Sequence, residues 1–367
     1  MGNYDNPFEF DFDSYIRQVE PSKQEKGKNW ATAIGLQKVD GLTTSKYLYE
    51  TAKRNIEGEI SFDEAKKIID SYYESKEVRT SDDENSEEAD KVSARIAQIL
   101  SEKTFSFNPS QLLLIHEKLF EGIFDTVKAG KFRTYNITKK EWALDGDTVF
   151  YANADLIQDT LKYDFENEKN FDYSALTKEQ TVNHITRFVA NIWQVHPFGE
   201  GNTRTTAVFT IMYLRSLGFE VNNEPFEKHS WYFRNALVRA NYTNVKKSIY
   251  MNNIFLEKFF ENLLLGKNNE LKNRYTHIRY TENIEKTSVE NDKNFGTKEK
   301  TSVQILDLMK ENPSITLQQI AEKIGLSKRA IEMQVKKLRE QGKVNRIGAT
   351  KKGLWEVRGY SYGNEEM

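Results

Sequence analysis

Between His196 and Arg204 the chain reads HPFGEGNTR, which places an imidazole, a carboxylate, two glycines, an asparagine and an arginine within nine residues. An imidazole titrates near neutral pH and can accept a proton from a hydroxyl. Glu200 offers hard oxygen ligation to a magnesium ion that bridges phosphates. Gly201, Asn202 and Thr203 stand where a helix is expected to open, so unpaired backbone N–H groups and the positive end of a helix dipole would converge on an anion. Arg204 beside them adds a guanidinium suited to phosphate. A base, a metal ligand, an anion cradle and an arginine in one loop suit phosphoryl or nucleotidyl transfer.

Two amphipathic segments must position that loop. Upstream, Val182, Ile185, Val189, Ile192 and Val195 recur at helical spacing; downstream, Val208, Ile211, Met212 and Leu217 do much the same. The expected unit is therefore helix, tight polar loop, helix. At 367 residues the chain has room for two or three domains around a substantial core. Hydrophobic residues make up 38% and charged residues 29%, with a net charge of −2, so attraction to nucleic acid or membrane must be local. The absence of cysteine excludes disulfides and thiolate metal sites. No apolar run approaches the ~20 residues of a membrane span. The acidic, aromatic start MGNYDNPFEFDFDSY lacks the features of a signal peptide. A cytoplasmic protein without membrane contact is expected.

The loop resembles the Fic motif, HxFx(D/E)GNxRxxR, at His196, Phe198, Glu200, Gly201, Asn202 and Arg204. The resemblance implies transfer of AMP from ATP to a Ser, Thr or Tyr hydroxyl of a target protein, itself included, with release of pyrophosphate. It makes His196 the general base and Glu200 the holder of Mg²⁺ on the α- and β-phosphates. It gives Gly201, Asn202 and Thr203 the phosphate cradle, Arg204 the β-phosphate, and Phe198 the place of a buried anchor. Two positions depart from the pattern. Thr203 replaces the second glycine of GNG, and Ala207 replaces the final arginine, which ordinarily holds the γ-phosphate. The related Doc kinases carry a lysine where Thr203 stands and bind ATP reversed, so phosphoryl transfer, or use of another nucleotide donor, is an alternative. A DNA-binding regulator whose degenerate Fic body senses nucleotide is another.

The resemblance implies a helical Fic domain with a β-hairpin flap. Beyond it, helical stretches at Ser302–Lys310, Thr316–Ile324 and Ser327 to about Gln341, the turn Gly325–Ser327 and two strands at Val344–Gly348 and Gly353–Val357 resemble a small winged helix-turn-helix domain, so the fold class is mainly α. The expected divisions are an N-terminal helical region at 1–90, a catalytic body at 91–266, a linker at 267–297 and a winged module at 298–360. Residues 1–30 read as irregular surface, followed by helices over roughly 29–38, 43–57 and 61–76, the last opened by the capping box Ser61–Glu64. Thr80 to Asp90 holds six acidic residues and reads as a solvated loop. Gln111 to Phe120 reads as a core helix, with His116 packing. Residues 134–152 flank the hairpin turn Asp145-Gly146. In the family this is a flap where an extended target segment docks, so Asp145, Gly146 and Asp147 are its expected docking residues. Tyr232 and Asn235 are candidates for contacts to the adenine.

In the last module, residues 327–352 carry nine Lys/Arg against two Asp/Glu. A helix presenting Lys328, Arg329 and Gln334 suits a major groove, with Lys336, Lys337, Arg346, Lys351 and Lys352 on phosphates. A protein–protein or homodimer contact is the alternative use. Many Fic proteins carry an inhibitory (S/T)xxxE(G/N) helix whose glutamate pairs with the last motif arginine. Asp40-Gly41 and Glu57-Gly58 resemble its end, but neither has the Ser/Thr, and Ala207 removes the partner. Substituting Asp40 or Glu57 is therefore expected to leave activity unchanged.

Overall fold

The computed structural model describes residues 21–75, 81–221 and 224–280, and in the C-terminal part 305–306, 308–310, 312–324, 328–340, 344–347 and 354–357. The chain divides into two units, Met1–Tyr280 and Thr281–Met367. In the first, helices α1 (Pro21–Leu36), α2 (Lys46–Glu57), α3 (Phe62–Glu74) and α4 (Ser81–Ser101) precede α5 (Pro109–Phe120). Then come α6 (Ile157–Lys169), α7 (Lys178–Val195), α8 (Asn202–Ser216), α9 (Glu224–Ala240), α10 (Ile254–Leu265) and the short α11 (Asn273–Thr276). Helix α1 starts at Pro21, well before the irregular stretch was expected to end, because proline suits a first helical turn.

The starts of α3 and α7 are fixed by capping boxes, Ser61 with Glu64 and Thr177 with Gln180, whose side chains satisfy orphan N–H groups reciprocally. Helix α8 is buried on every face from Asn202 to Leu214. An aromatic cluster of Phe107, Phe165, Phe188, Phe209 and Tyr213 locks it to α6 and α7. Helix α1 approaches α9 at Gly35, where a Cβ would lie 2.3 Å from the Glu227 carbonyl oxygen. Ser230 Oγ donates to the Gly35 carbonyl at 2.6 Å, pinning that crossing.

The acidic run is not a solvated loop. From Ser81 onward it forms the first half of α4, where carboxylates suit the positive end of the helix dipole. Asp90 is fully buried. It accepts from the Ser45 backbone N–H at 2.9 Å, from Tyr73 Oη at 2.7 Å and from Ser45 Oγ. The charge excess hid a helix in which Glu87 pairs with Lys91, Glu88 with Arg204 and Asp90 with Ser45 and Tyr73.

The flap departs from a regular hairpin. Among the described residues its turn is a short 3₁₀ segment, Trp142–Leu144, and no strand flanks it. Backbone bonds from Glu141 N to Asp147 O (2.9 Å) and from Gly146 N to Glu141 O (3.0 Å) close it. The chain is fixed instead by side chains of neighbouring elements, so ladder pairing is not needed. Residues 267–280, at the start of the expected linker, pack on this unit: Thr276 is buried and Ile278 N donates to Ala143 O at 2.9 Å.

The second unit contains α12 (Leu317–Ile324), α13 (Lys328–Glu340) and the antiparallel strands β1 (Val344–Ile347) and β2 (Leu354–Val357). Val344 pairs with Val357 and Ile347 with Leu354. Its core gathers Ile305, Met309, Ile320, Ile331, Leu338 and Trp355. Trp355 Nε1 donates to Ile315 O at 2.9 Å, so the wing is anchored to the segment before α12. The expected winged helix is therefore present. Residues 1–20 and 281–297, Ser327, Lys351 and Lys352 lie outside the described residues.

Candidate active site

His196 follows α7 with φ 48° and ψ 60°, a left-handed conformation that costs a β-carbon-bearing residue free energy. Buried Arg133 holds it there. Its Nε donates to His196 O at 2.8 Å, Nη1 to Tyr135 O at 2.7 Å and Nη2 to Ala152 O at 2.6 Å. The Arg133 backbone N–H donates to Pro197 O at 2.8 Å. One guanidinium thus ties the motif loop to both arms of the flap. Arg133 ends the stretch Ala129-Gly-Lys-Phe-Arg133, and two of the carbonyls it binds lie 19 and 63 positions away, so no local pattern marks its role.

His196 Nδ1 lies 3.2 Å from the Trp193 carbonyl, so this nitrogen carries the proton and Nε2 is the acceptor. Tyr151 covers the ring at 4.1 Å and Trp193 meets it edge-on at 5.1 Å. Burial, reinforced by the nearby Lys139 ammonium, holds the imidazole well below its ordinary pKa. It is neutral at pH 7, with a lone pair to offer.

The loop closes on itself through Asn202. Its Oδ1 accepts from Phe198 N at 3.0 Å and its Nδ2 donates to Phe198 O at 2.8 Å. The Asn202 side chain is therefore a clasp, which leaves its backbone N–H for an anion. Gly201 has φ 73°, and a Cβ there would sit 2.4 Å from Phe120 Cε2, so conformation and space both require glycine. Thr203 Oγ1 accepts from Trp193 Nε1 at 3.0 Å. Ala207 is fully buried.

His116 does more than pack. Its Nε2 donates to Glu200 O at 3.1 Å and its Nδ1 accepts from Gly130 N at 2.9 Å, while its ring stacks on Phe198 at 3.8 Å. Burial pushes its pKa down to about 4. The unfolded chain, with an ordinary histidine near 6.5, binds the extra proton between those values. This group's contribution to stability is therefore complete above pH 6.5 and is lost as pH falls toward 4. In urea unfolding, His116→Gln is expected to flatten the fall of stability between pH 5.5 and 4.5 by about one proton, roughly 1.4 kcal/mol per pH unit. An unchanged slope would mean that His116 is not held neutral.

Arg204, expected to meet a β-phosphate, is fully buried and already engaged. Its Nη2 donates to Glu88 Oε1 at 2.6 Å and its Nη1 to Gln37 Oε1 at 3.0 Å. Its Nε lies 2.8 Å from Asp40 Oδ2, a charge contact without hydrogen-bond alignment. The guanidinium also lies over Phe120 at 4.8 Å. Asp40 reaches on to Arg234 at 3.1 Å, and Arg234 pairs with Glu141 at 3.2 Å. Tyr151 Oη then donates to Glu141 at 3.1 Å, which brings the network back to the ring over His196. The expectation that Asp40 has no motif arginine to pair with is overturned: it takes Arg204, about one turn before Ala207. Glu57 instead pairs with Lys23 at 3.0 Å.

Glu200 is half exposed, and its Oε2 accepts from Lys139 of the flap at 2.9 Å. No group of three or more acids and histidines that could hold a metal ion occurs among the described residues. A single carboxylate beside an anion cradle fits magnesium, which takes its remaining ligands from phosphates and water.

Tyr232 and Asn235 are buried in the core of α9, and Asn235 Nδ2 donates to Asn273. Trp231 and Arg234 of the same helix, with Lys38, Val39, Asp40 and Gly41, line a cleft of about 330 Å³. At the flap, Asp147 accepts from Tyr242 Oη at 2.7 Å, and this bond, with the Thr148 N–H, lowers its pKa to about 2. Asp145 pairs with Arg279, and Gly146 caps the turn at φ 83°. In the second unit, Lys336 is exposed and the Arg346 guanidinium lies over Trp355 at 4.5 Å. The Lys328, Arg329 and Lys337 side chains lie outside the described residues.

Residues 106–214 match the model of the Fic/DOC family, and residues 298–345 match that of the winged helix-turn-helix DNA-binding family. Among solved structures, a Fic family protein from Desulfovibrio desulfuricans G20 is similar at 12% identity, with 96% of this chain and 94% of that chain covered and a TM-score of 0.45. The N-terminal FIC domain of Bep8, a VirB-translocated effector from Bartonella sp. 1-1C, is 19% identical. There 51% of this chain and 88% of that chain are covered, at a TM-score of 0.40. No curated protein sequence matches the chain. Residues 106–214 thus carry a Fic/DOC domain and residues 298–345 a winged helix-turn-helix, and no described helix is long and apolar enough to cross a membrane.

Proposed function

We propose that this chain, which carries a Fic/DOC domain and a winged helix-turn-helix, is a protein adenylyltransferase acting on a hydroxyl side chain of a protein. The observation that carries the reading is the state of His196. Its Nδ1 proton is committed to a carbonyl and its ring is neutral, so Nε2 is prepared to take a proton. His196 accepts the hydroxyl proton of the target; the oxygen bonds to the α-phosphorus of ATP, the bond toward the β-phosphate breaks, and pyrophosphate leaves. The first-turn N–H groups of α8 hold the phosphates, and Arg133 keeps the loop in register with the flap. When bound at Glu200, magnesium supplies charge neutralisation on the phosphates. Arg204 must exchange Asp40 and Glu88 for phosphate, so the conformation described is a resting one.

The test is the intact mass of the purified protein, with a lysate fraction as additional target, after incubation with ATP and Mg²⁺. A gain of about 329 Da, one AMP unit, is expected. A gain of about 80 Da would replace this reading by reversed-donor phosphoryl transfer. The engagement of Arg204 favours one second reading, a DNA-binding regulator whose Fic body senses nucleotide. For it, no protein gains mass, nucleotide still binds, and a random duplex is shifted in a gel at low salt and released at high salt.

A further inference from the structure

Lys139 reaches from the flap to the motif loop, with Nζ 2.9 Å from Glu200 Oε2. Its own backbone is tied down, since Lys139 N donates to Thr148 Oγ1 at 3.3 Å across the flap turn. The Lys139 side chain is three-quarters buried, whereas that of Glu200 is half exposed and so open to solvent. Glu200 belongs to no group of three or more acids and histidines that could hold a metal ion, among the described residues. A divalent cation approaching it therefore meets a like charge, with no such cluster of acids around it to offset the repulsion.

From this geometry we infer that Lys139 is a positioning residue, the resident cation of Glu200, which ties the flap to the motif loop until a metal–nucleotide complex displaces it. The inference rests on the nucleotide-transfer reading above and adds a coupling between metal loading and release of the flap. The order of events follows from charge. With Glu200 neutralised by lysine the Lys139 stretch is held on the loop; once a divalent ion takes the carboxylate, the ammonium is repelled and that stretch, between the arms still anchored by Arg133 at Tyr135 and Ala152, is free to receive a target. A partly exposed ion pair shifts such a competition modestly, by about two- to fivefold.

The test uses the full chain with Mn²⁺ and α,β-methylene ATP, an analogue that cannot release AMP, and reads Mn²⁺ half-saturation by water-proton relaxation. Lys139→Met is expected to lower the half-saturating Mn²⁺ by about two- to fivefold, and Lys139→Arg, a better carboxylate partner, to leave it at or above the wild-type value. Tryptic cleavage after Lys140 should accelerate in the wild type when Mn²⁺ and the analogue are added, and should already be fast in Lys139→Met. An unchanged half-saturation in Lys139→Met overturns the inference. So does weaker analogue binding at saturating Mn²⁺, which would make Lys139 a phosphate ligand. A wild type that binds no analogue removes the nucleotide reading itself, and this inference with it.

Discussion

Replacing His196 by alanine is expected to lower nucleotide transfer by about 10²–10⁴-fold, the usual range for loss of a positioned general base. The expectation rests on the ring's environment. Nδ1 is occupied by the Trp193 carbonyl, the ring is covered by Tyr151 and Trp193, and burial keeps it unprotonated. Alanine removes the acceptor without disturbing Arg133, which holds the loop through the backbone carbonyl of residue 196. Binding of α,β-methylene ATP should therefore stay within roughly twofold of wild type, so the loss appears in the transfer step and not in affinity. Transfer by the alanine variant at a tenth or more of the wild-type rate, in a single-turnover assay, would assign the proton to another group.

The second large effect concerns Arg204. Removing the two carboxylates that hold it, in the double variant Asp40→Asn, Glu88→Gln, is expected to raise self-modification by at least about tenfold. Both substitutions keep the shape and the hydrogen-bond acceptors of the side chains and remove two negative charges from a guanidinium that is buried. A charge-assisted contact is worth about 1.5–3 kcal/mol, so releasing even one of them shifts the arginine's equilibrium toward phosphate by an order of magnitude. The same change leaves a buried charge less compensated, so the variant should melt below wild type. Inorganic pyrophosphate should recover more of that loss in the variant than it adds to the wild type, because it reaches the freed guanidinium. Equal pyrophosphate stabilisation and no rise in modification would make Arg204 a structural residue. Glu57→Gly, by contrast, is expected to leave modification unchanged, since Glu57 pairs with Lys23.

What the sequence by itself determined was local. The helix–loop–helix around HPFGEGNTR followed from apolar spacing and from a glycine that must take a left-handed conformation. The capping box at Ser61 and the wing strands were legible for the same reason: caps and short amphipathic strands are encoded within a few residues. Charge was the misleading signal. Six acids between Thr80 and Asp90 look like solvent-facing excess, yet Glu88 meets Arg204 across 116 positions and Asp90 is buried against Tyr73 and Ser45. The tertiary structure alone decided which carboxylate met which cation, because an ion pair depends on distance in space and leaves no period in the chain. It likewise made Arg133 the clamp of the motif loop, and set Trp231 and Arg234 on a cleft while Tyr232 and Asn235 went into the core. Helical periodicity defines a buried stripe, but a rotation of about 100° per residue separates a core side chain from one that lines a cleft, and packing against α1 sets that phase.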